Sequence, residues 1–255
     1  MTSPATAAEL IAPAKLTLAL RITGLREDGY HLIDAEMVSL ELADRITIEE
    51  LAPDHEISLS ADGPFCDGMP LDGTNLVTRA LRLAGRCARV HVHKAVPHGG
   101  GLGGGSADAA AVLRWAGWTD LDAASRLGAD IPFCLVGGRA RVRGIGELVE
   151  PLPFEPLDLT LVIPPLAVST PAAYRAWDEL ATRDPHAAHE GVNELEAAAI
   201  RVEPALAAWR DRIEAVAGER PTLAGSGATW FLRGHHGQLA DELPGATVVL
   251  TRTCP

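Results

Sequence analysis

The stretch that decides the fold reads Pro97-His98-Gly99-Gly100-Gly101-Leu102-Gly103-Gly104-Gly105-Ser106 and continues into Ala107-Asp108-Ala109-Ala110-Ala111. Six of the seven residues from 99 to 105 are glycine. Upstream, residues 89–96 alternate as a strand does; downstream, residues 107–115 read as an alanine-rich helix. Glycines in that position let the backbone approach a bulky anion with several N–H groups aimed at it. The helix start behind them adds partial positive charge. Phosphate is the guest such a cradle suits. A flexible linker is the bland alternative, but linkers rarely join a strand so closely to a helix. The stretch lacks G-x-x-x-x-G-K-[ST], so it is not a P-loop. Gly99, Gly101 and Gly104 satisfy G-x-G-x-x-G, a match that comes nearly free in so glycine-dense a run. A dinucleotide site also wants an acidic residue about 20 positions on, at the end of a second strand. Asp120 and Asp122 have that spacing but lie at a helix start.

Outward from this loop the chain mixes strands and helices without strict alternation, which favours an α+β fold. Residues 15–22 alternate, with Leu16, Leu18, Leu20 and Ile22 on one face and Lys15, Thr17, Ala19 and Arg21 on the other. Further strands are expected at 37–42, 45–49, 133–136, 139–143, 157–163 and 246–251, and in the later part of 223–232, after a small-residue turn at 224–227. Pro132 is expected to hold Ile131 out of the helical region. Helices are expected at 75–84, 121–127, 170–181, 192–200 and 205–217, the third with Thr170 as N-cap and Pro171 in its first position. Ser106 is expected to cap the helix after the glycines. Asp108 is expected in that helix's first turn, where it would complement the dipole. Two domains are expected, 1–155 and 156–255.

The chain has 255 residues and a net charge of −12. That acidity argues against nucleic acid and anionic membrane surfaces as partners, without excluding an anionic small molecule. No apolar run reaches the roughly 18 residues a membrane span needs. Residues 1–10 lack the basic start and apolar core of a signal peptide. The four cysteines, Cys66, Cys87, Cys134 and Cys254, form no C-x-x-C pair and no cluster with histidine, so a reducing cytoplasm is the expected setting. Of 22 basic residues only Lys15 and Lys94 are lysines. In an arginine-using chain, a lysine suggests a place that wants a compact, tunable ammonium.

Pro97-x-x-x-Gly101-Leu102-Gly103-Gly104-Gly105-Ser106 resembles the phosphate-binding motif of the GHMP kinase superfamily. The longer string GGGLGGGSADAA resembles the branch whose acceptor is a cytidyl diphosphate-linked polyol, in non-mevalonate isoprenoid precursor biosynthesis. Other segments agree in order: Ala12-Pro13-Ala14-Lys15-Leu16, Asp28-Gly29-Tyr30-His31, Asn75-Leu76-Val77, Leu127-Gly128-Ala129-Asp130-Ile131-Pro132, Ser169-Thr170-Pro171, Asn193-Glu194-Leu195-Glu196 and Gly225-Ser226-Gly227.

The resemblance implies a two-lobed fold. Its N-terminal nucleotide-binding lobe would be like domain 2 of ribosomal protein S5, and its C-terminal lobe a ferredoxin-like α/β sandwich. It implies ATP and Mg²⁺, with Pro97, Gly99, Gly100, Gly101, Leu102, Gly103, Gly104, Gly105 and Ser106 at the phosphates and Asn75 and Lys94 near the nucleotide. Asn75 could equally be a helix N-cap, and Lys94 a solvated strand end. Lys15 and Asp130 would be catalytic, the lysine stabilising developing charge and the aspartate acting as general base. Ser106 is the one candidate metal ligand. Tyr30 and Tyr174 would stack on cytosine and His31 would hydrogen-bond it. Thr17, Thr170, Gly225 and Ser226 would meet the acceptor.

The pattern departs from the family at Thr17, where asparagine is usual, at His98, and in a shortened stretch between Trp115 and Leu121. Rival readings are a GHMP kinase with another alcohol acceptor, a dinucleotide-dependent oxidoreductase, and a nucleotide-binding module without catalysis. A monomer and a homodimer are both compatible with the sequence.

Overall fold

The computed structural model describes residues 7–97 and 99–255; the polar lead at 1–6 and His98 lie outside the described residues. Along the chain run β1 (Ala8–Leu25), β2 (His31–Leu51), β3 (Ser58–Asp62), α1 (Leu76–Leu83), β4 (Cys87–His93), α2 (Gly104–Trp115), α3 (Leu121–Ser125), α4 (Ile131–Val136), β5 (Arg139–Gly144) and β6 (Leu148–Pro151). Then come β7 (Asp158–Ile163), α5 (Thr170–Arg183), α6 (Pro185–Ala188), α7 (Glu196–Val202), α8 (Ala205–Ala217), β8 (Thr222–Leu223), β9 (Trp230–Arg233), α9 (Leu239–Glu242) and β10 (Thr247–Cys254).

The strands join in one sheet in the order β3-β4-β2-β10-β7-β9-β8, with β1, β5 and β6 attached through β2. The expected strands at 37–42 and 45–49 are parts of the single long β2. It pairs with β1 along most of its length, and with β5, β10 and β4 in turn along its other edge. β10 joins the two halves, pairing with β7 through 247–252 and with β2 through 253–254.

The even-numbered residues of β1 do not hold one face. Its register against β2 shifts between Pro13 and Lys15 and again between Thr17 and Ala19. An extra residue in one strand turns the following side chains to the other face. Ala12, Leu20 and Ile22 therefore pack in the core under α1 and α2, whereas Ala14, Leu16 and Leu18 pack with Leu159, Leu161 and Phe231 in a second cluster uniting the two halves. Between the shifts, Lys15 and Thr17 lie buried on the same side as Leu20. A third cluster, around Trp230, Ile213 and Leu206, belongs to the C-terminal half.

Several local expectations are corrected. Residues 133–136 are helical, as part of α4, rather than a strand. A short apolar run does not distinguish the two by periodicity, and Pro132 falls in the first turn, where its missing N–H costs nothing. Helix α2 begins at Gly104, so Gly103 takes the cap position and Ser106 lies inside the first turn. Asp108 is consequently in the second turn and buried, not a first-turn dipole residue. Ser169, not Thr170, caps α5, its hydroxyl accepting from Ala172 N at 3.4 Å. Residues 192–195 are not helical. They lie beside β1, with Val192 O accepting from Leu20 N at 3.0 Å and Glu194 N donating to Leu20 O at 3.0 Å.

Candidate active site

The glycine run crosses directly over Lys15. Lys15 N donates to Leu102 O at 2.9 Å. Gly103 has φ 67°, and a Cβ there would stand 2.7 Å from Lys15 Cγ, so only glycine brings the loop this close. A Cβ on Gly101 would overlap Ala224 O, which fixes the loop against the Gly225-Ser226-Gly227 turn on its other side.

Lys15 Nζ lies 3.3 Å from Asp130 Oδ2 and donates to Thr17 Oγ1 at 3.3 Å. Asp130 occupies the N-cap position of α4 but makes no capping hydrogen bond. An aspartate there ordinarily accepts from its own helix's amides; this one turns its carboxylate to the lysine. The lysine side chain is 6% exposed and the aspartate side chain 33%, so the pair is buried at the ammonium and open at the carboxylate.

A cavity of about 220 Å³ opens beside this pair, lined also by Thr17, Gly101, Ser106, Thr170, Tyr174, Gly225 and Ser226. Eight residues expected at the site from sequence thus meet at Lys15. Thr170 Oγ1 and Ser226 Oγ are 2.8 Å apart, joining the start of α5 to the late glycine turn. Asn193 holds that turn from behind, its Nδ2 donating to Leu223 O at 2.8 Å and Gly225 O at 2.6 Å.

A second cavity of about 400 Å³ adjoins the first through Ala129, Ile145, Thr170 and Tyr174, which line both. Tyr30 and His31 are on its wall. His31 stacks on Tyr174 with ring centroids 4.7 Å apart and 25° between planes. One face of Tyr174 is therefore partly covered, which the expected Tyr30–base–Tyr174 sandwich did not anticipate. Burial, with Asp130 nearby, pushes the Tyr174 hydroxyl up to about 12, so it stays a neutral donor.

Two expected nucleotide residues are engaged elsewhere. Asn75 caps α1, accepting from Val77 N at 2.8 Å and donating to Pro70 O at 2.7 Å. Lys94 is buried beneath the loop, its ammonium bonded to Asp44 and, at 2.7 Å, to Asp108. It is not a solvated strand end. Burial alone would lower its pKa, but the two carboxylates more than offset that and hold it raised. Burial pushes Asp108 up to about 7 against the pull of Lys94, and its Oδ1 has no partner among the described residues. Asp44 Oδ1 accepts from Ala95 N at 2.6 Å and Val96 N at 2.8 Å. The triad thus ties β2, the exit of β4 and α2 together where the loop is mounted.

Sequence reasoning missed Asn193, Asp178 and Ile145. Asn193 stood within a quoted motif without a role. Asp178 lies one helical turn after Tyr174, a spacing that puts both on one face. Ile145, between Gly144 and Gly146, gave no chemical signal. Among the described residues no group of three carboxylate, histidine or cysteine side chains could hold a metal. No helix among them is long and apolar enough to cross a membrane.

A glycine cradle, a buried lysine and an open carboxylate at one cavity define a small-molecule kinase of the GHMP type, and residues 75–138 match the GHMP kinases N terminal domain. Such a kinase uses ATP. The chain is 44% identical to a 4-diphosphocytidyl-2-C-methyl-D-erythritol kinase of Paracoccus denitrificans, over 86% of this chain and 84% of that one. It is 38% identical to the one of Cereibacter sphaeroides (strain ATCC 17025), over 92% and 91%. A crystal structure of 4-(cytidine 5'-diphospho)-2C-methyl-D-erythritol kinase superposes with a TM-score of 0.74 at 32% identity, over 97% of this chain and 100% of that one. The chain belongs to the 4-diphosphocytidyl-2-C-methyl-D-erythritol kinase family, and its fold is the two-lobed GHMP kinase fold.

Proposed function

We propose that this protein transfers the γ-phosphoryl group of ATP to the 2-hydroxyl of 4-diphosphocytidyl-2-C-methyl-D-erythritol, giving the 2-phosphate and ADP, in cytosolic isoprenoid precursor biosynthesis. The observation that carries the reading is the 3.3 Å Lys15–Asp130 pair beneath the glycine loop, at one end of a continuous cavity whose other end is lined by Tyr30, His31 and Tyr174. Residues 1–155 would form the nucleotide-binding domain, which also brings Tyr30 and His31 to the acceptor, and residues 156–255 the C-terminal domain, which adds Thr170, Tyr174 and Ser226.

Asp130 would accept the proton of the attacking hydroxyl; its half-buried carboxylate borders the cavity, which supports that role. Lys15 would stabilise the resulting alkoxide and the charge on the transferring group, in a water-poor place where such contacts are strong. The loop amides would hold the polyphosphate. Mg²⁺ would be carried on the phosphates, where it neutralises charge, with the Ser106 hydroxyl at the cavity wall as its protein contact. Thr17, Thr170 and Ser226 offer hydroxyls to the polyol. Thr17 keeps a donor and an acceptor where asparagine would offer an amide, and its Oγ1 is already taken by Lys15.

The test is ADP release, measured through a coupled assay with cytidyl diphosphate-linked methylerythritol and with alcohols lacking the cytidyl group, homoserine and mevalonate among them. Turnover confined to the cytidyl substrate is expected. Comparable turnover of a non-cytidyl alcohol would move the chain to another acceptor.

A further inference from the structure

Asp178 lies on α5 one turn beyond Tyr174, at the rim of the 400 Å³ cavity. Its Oδ1 is 2.7 Å from His31 Nε2. The His31 ring is held on two further sides, by the face of Tyr174 at 4.7 Å and by the edge of Trp177 at 5.9 Å and 88°. Its side chain is 9% exposed. The other ring nitrogen, Nδ1, has no hydrogen-bond partner among the described residues. A ring this constrained, bonded at one nitrogen and unbonded at the other beside a cavity, has a defined donor–acceptor polarity.

That polarity follows from elementary chemistry. An ionised carboxylate only accepts hydrogen bonds. The proton on a neutral His31 must therefore sit on Nε2, which leaves Nδ1 a lone-pair acceptor. At an ordinary ring separation of about 3.5 Å, a 4.7 Å centroid distance leaves the two rings offset by roughly 3 Å. Tyr174 also lines both cavities, so it presents ring surface to them beside His31. A flat heterocycle stacked there would lie within about 25° of the imidazole plane and would present an edge to the ring's free nitrogen. Cytosine offers an exocyclic amine on such an edge; uracil offers a carbonyl at the same place.

We propose that Asp178, acting through His31, sets the base specificity of the acceptor site, fixing the imidazole tautomer that accepts from an amino-pyrimidine and opposes an oxo-pyrimidine. Asp178 is a positioning residue, not a catalytic one. The inference rests on the cytidyl reading of the same cavity. Arg175 and Asp178 are the charged side chains on this rim, and Arg175 makes no ion pair among the described residues, so nothing else competes for the Asp178–His31 contact.

The experiment compares kcat/KM for matched cytidyl and uridyl diphosphate-linked alcohols in wild type, Asp178→Asn and Asp178→Glu. Asparagine can donate as well as accept, so it no longer dictates the tautomer; glutamate still does. The cytidyl-to-uridyl ratio is expected to fall about tenfold or more in D178N, through the acceptor's KM rather than that for ATP, and to survive largely in D178E. Equal losses on both acceptors in D178N would show packing alone and overturn the proposal. A wild type that turns over both acceptors equally would overturn it while sparing the nucleotidyl acceptor class. A wild type inactive on both would refute the acceptor reading itself, and the inference with it.

Discussion

Gly103→Ala tests how the loop and the proposed catalytic pair, Lys15 and Asp130, are coupled. Gly103 has φ 67°, where an L residue costs about 1–2 kcal/mol. The new Cβ would stand 2.7 Å from Lys15 Cγ and 3.1 Å from Cε. Carbon atoms normally rest about 3.5–4.0 Å apart, so Lys15 must yield by close to 1 Å. Its backbone is tied to Leu102 O, so the side chain moves instead, and the 3.3 Å reach to Asp130 opens. Misplacing a reacting group by about 1 Å costs on the order of 100-fold in rate. We expect kcat in a coupled ADP-release assay to fall about 100-fold. The strain should lower Tm by only about 2–8 °C. Lys15→Met supplies the control, because once the ammonium is gone the alanine has nothing left to displace. The double variant should therefore be little slower than K15M alone. A folded G103A within about threefold of wild-type kcat, or rate losses that simply multiply in the double variant, would refute the coupling.

Asp130→Asn should lower kcat by about 10²- to 10⁴-fold with little change in KM for ATP; near-normal turnover would remove the base assignment. Tyr30→Ala should raise the acceptor's KM by about 5- to 150-fold, the equivalent of one stacking contact, and a matching rise for ATP would argue against stacking on the acceptor base. Lys94→Met leaves two buried carboxylates without their cation and should cost about 3–5 kcal/mol in urea unfolding; a loss below about 1 kcal/mol would mean the triad carries no net stability. Asp108, raised to about 7, binds a proton when folded that the unfolded chain has already released. Its contribution is therefore fully present below the ordinary carboxyl value of 3.8, and is lost progressively as pH rises from there to about 7. Asp108→Asn should flatten that part of the stability–pH curve, and parallel curves for variant and wild type would contradict the burial argument.

The glycine loop, the helix behind it and the Lys15–Asp130 meeting were legible because each depends on residue types with few other uses: six glycines in seven residues, two lysines in a chain of arginines, an aspartate before Ile-Pro. What was not legible turned on geometry that side-chain patterns underdetermine. The register shifts on either side of Lys15 and Thr17 in β1 preserve the even-odd alternation while exchanging the faces it points to. An apolar run as short as 133–136 satisfies both helix and strand, and only its packing beneath α2 decides. Ser106 looked like a cap because serine usually is one, but glycine at φ 67° starts the helix earlier and moves the serine into its first turn. Asn193 and Asp178 act on the site through another residue: the i, i+4 spacing puts Asp178 on the face of Tyr174, but nothing in it reveals the His31 contact made across the fold.

The two lysines flank the same loop and do opposite electrostatic things there. Gly103 lies against Lys15, and a Cβ on Gly104 would stand 3.3 Å from Lys94 Nζ. Lys15 faces one carboxylate and a cavity, so the pair is neutral and an arriving polyphosphate meets an ammonium with a donor to spare. Lys94 faces two carboxylates in a dry place, so that group is at best neutral, with Asp108 protonated, and otherwise carries a net negative charge. It cannot serve as a second phosphate anchor without abandoning partners whose loss in the interior is costly. The attraction for the nucleotide must then come from the loop amides, the start of α2 and Lys15, all on the cavity side. That asymmetry favours a donor whose γ-phosphate end would face Lys15 and Asp130 rather than Lys94, the direction in-line transfer would require with Asp130 as the proposed base.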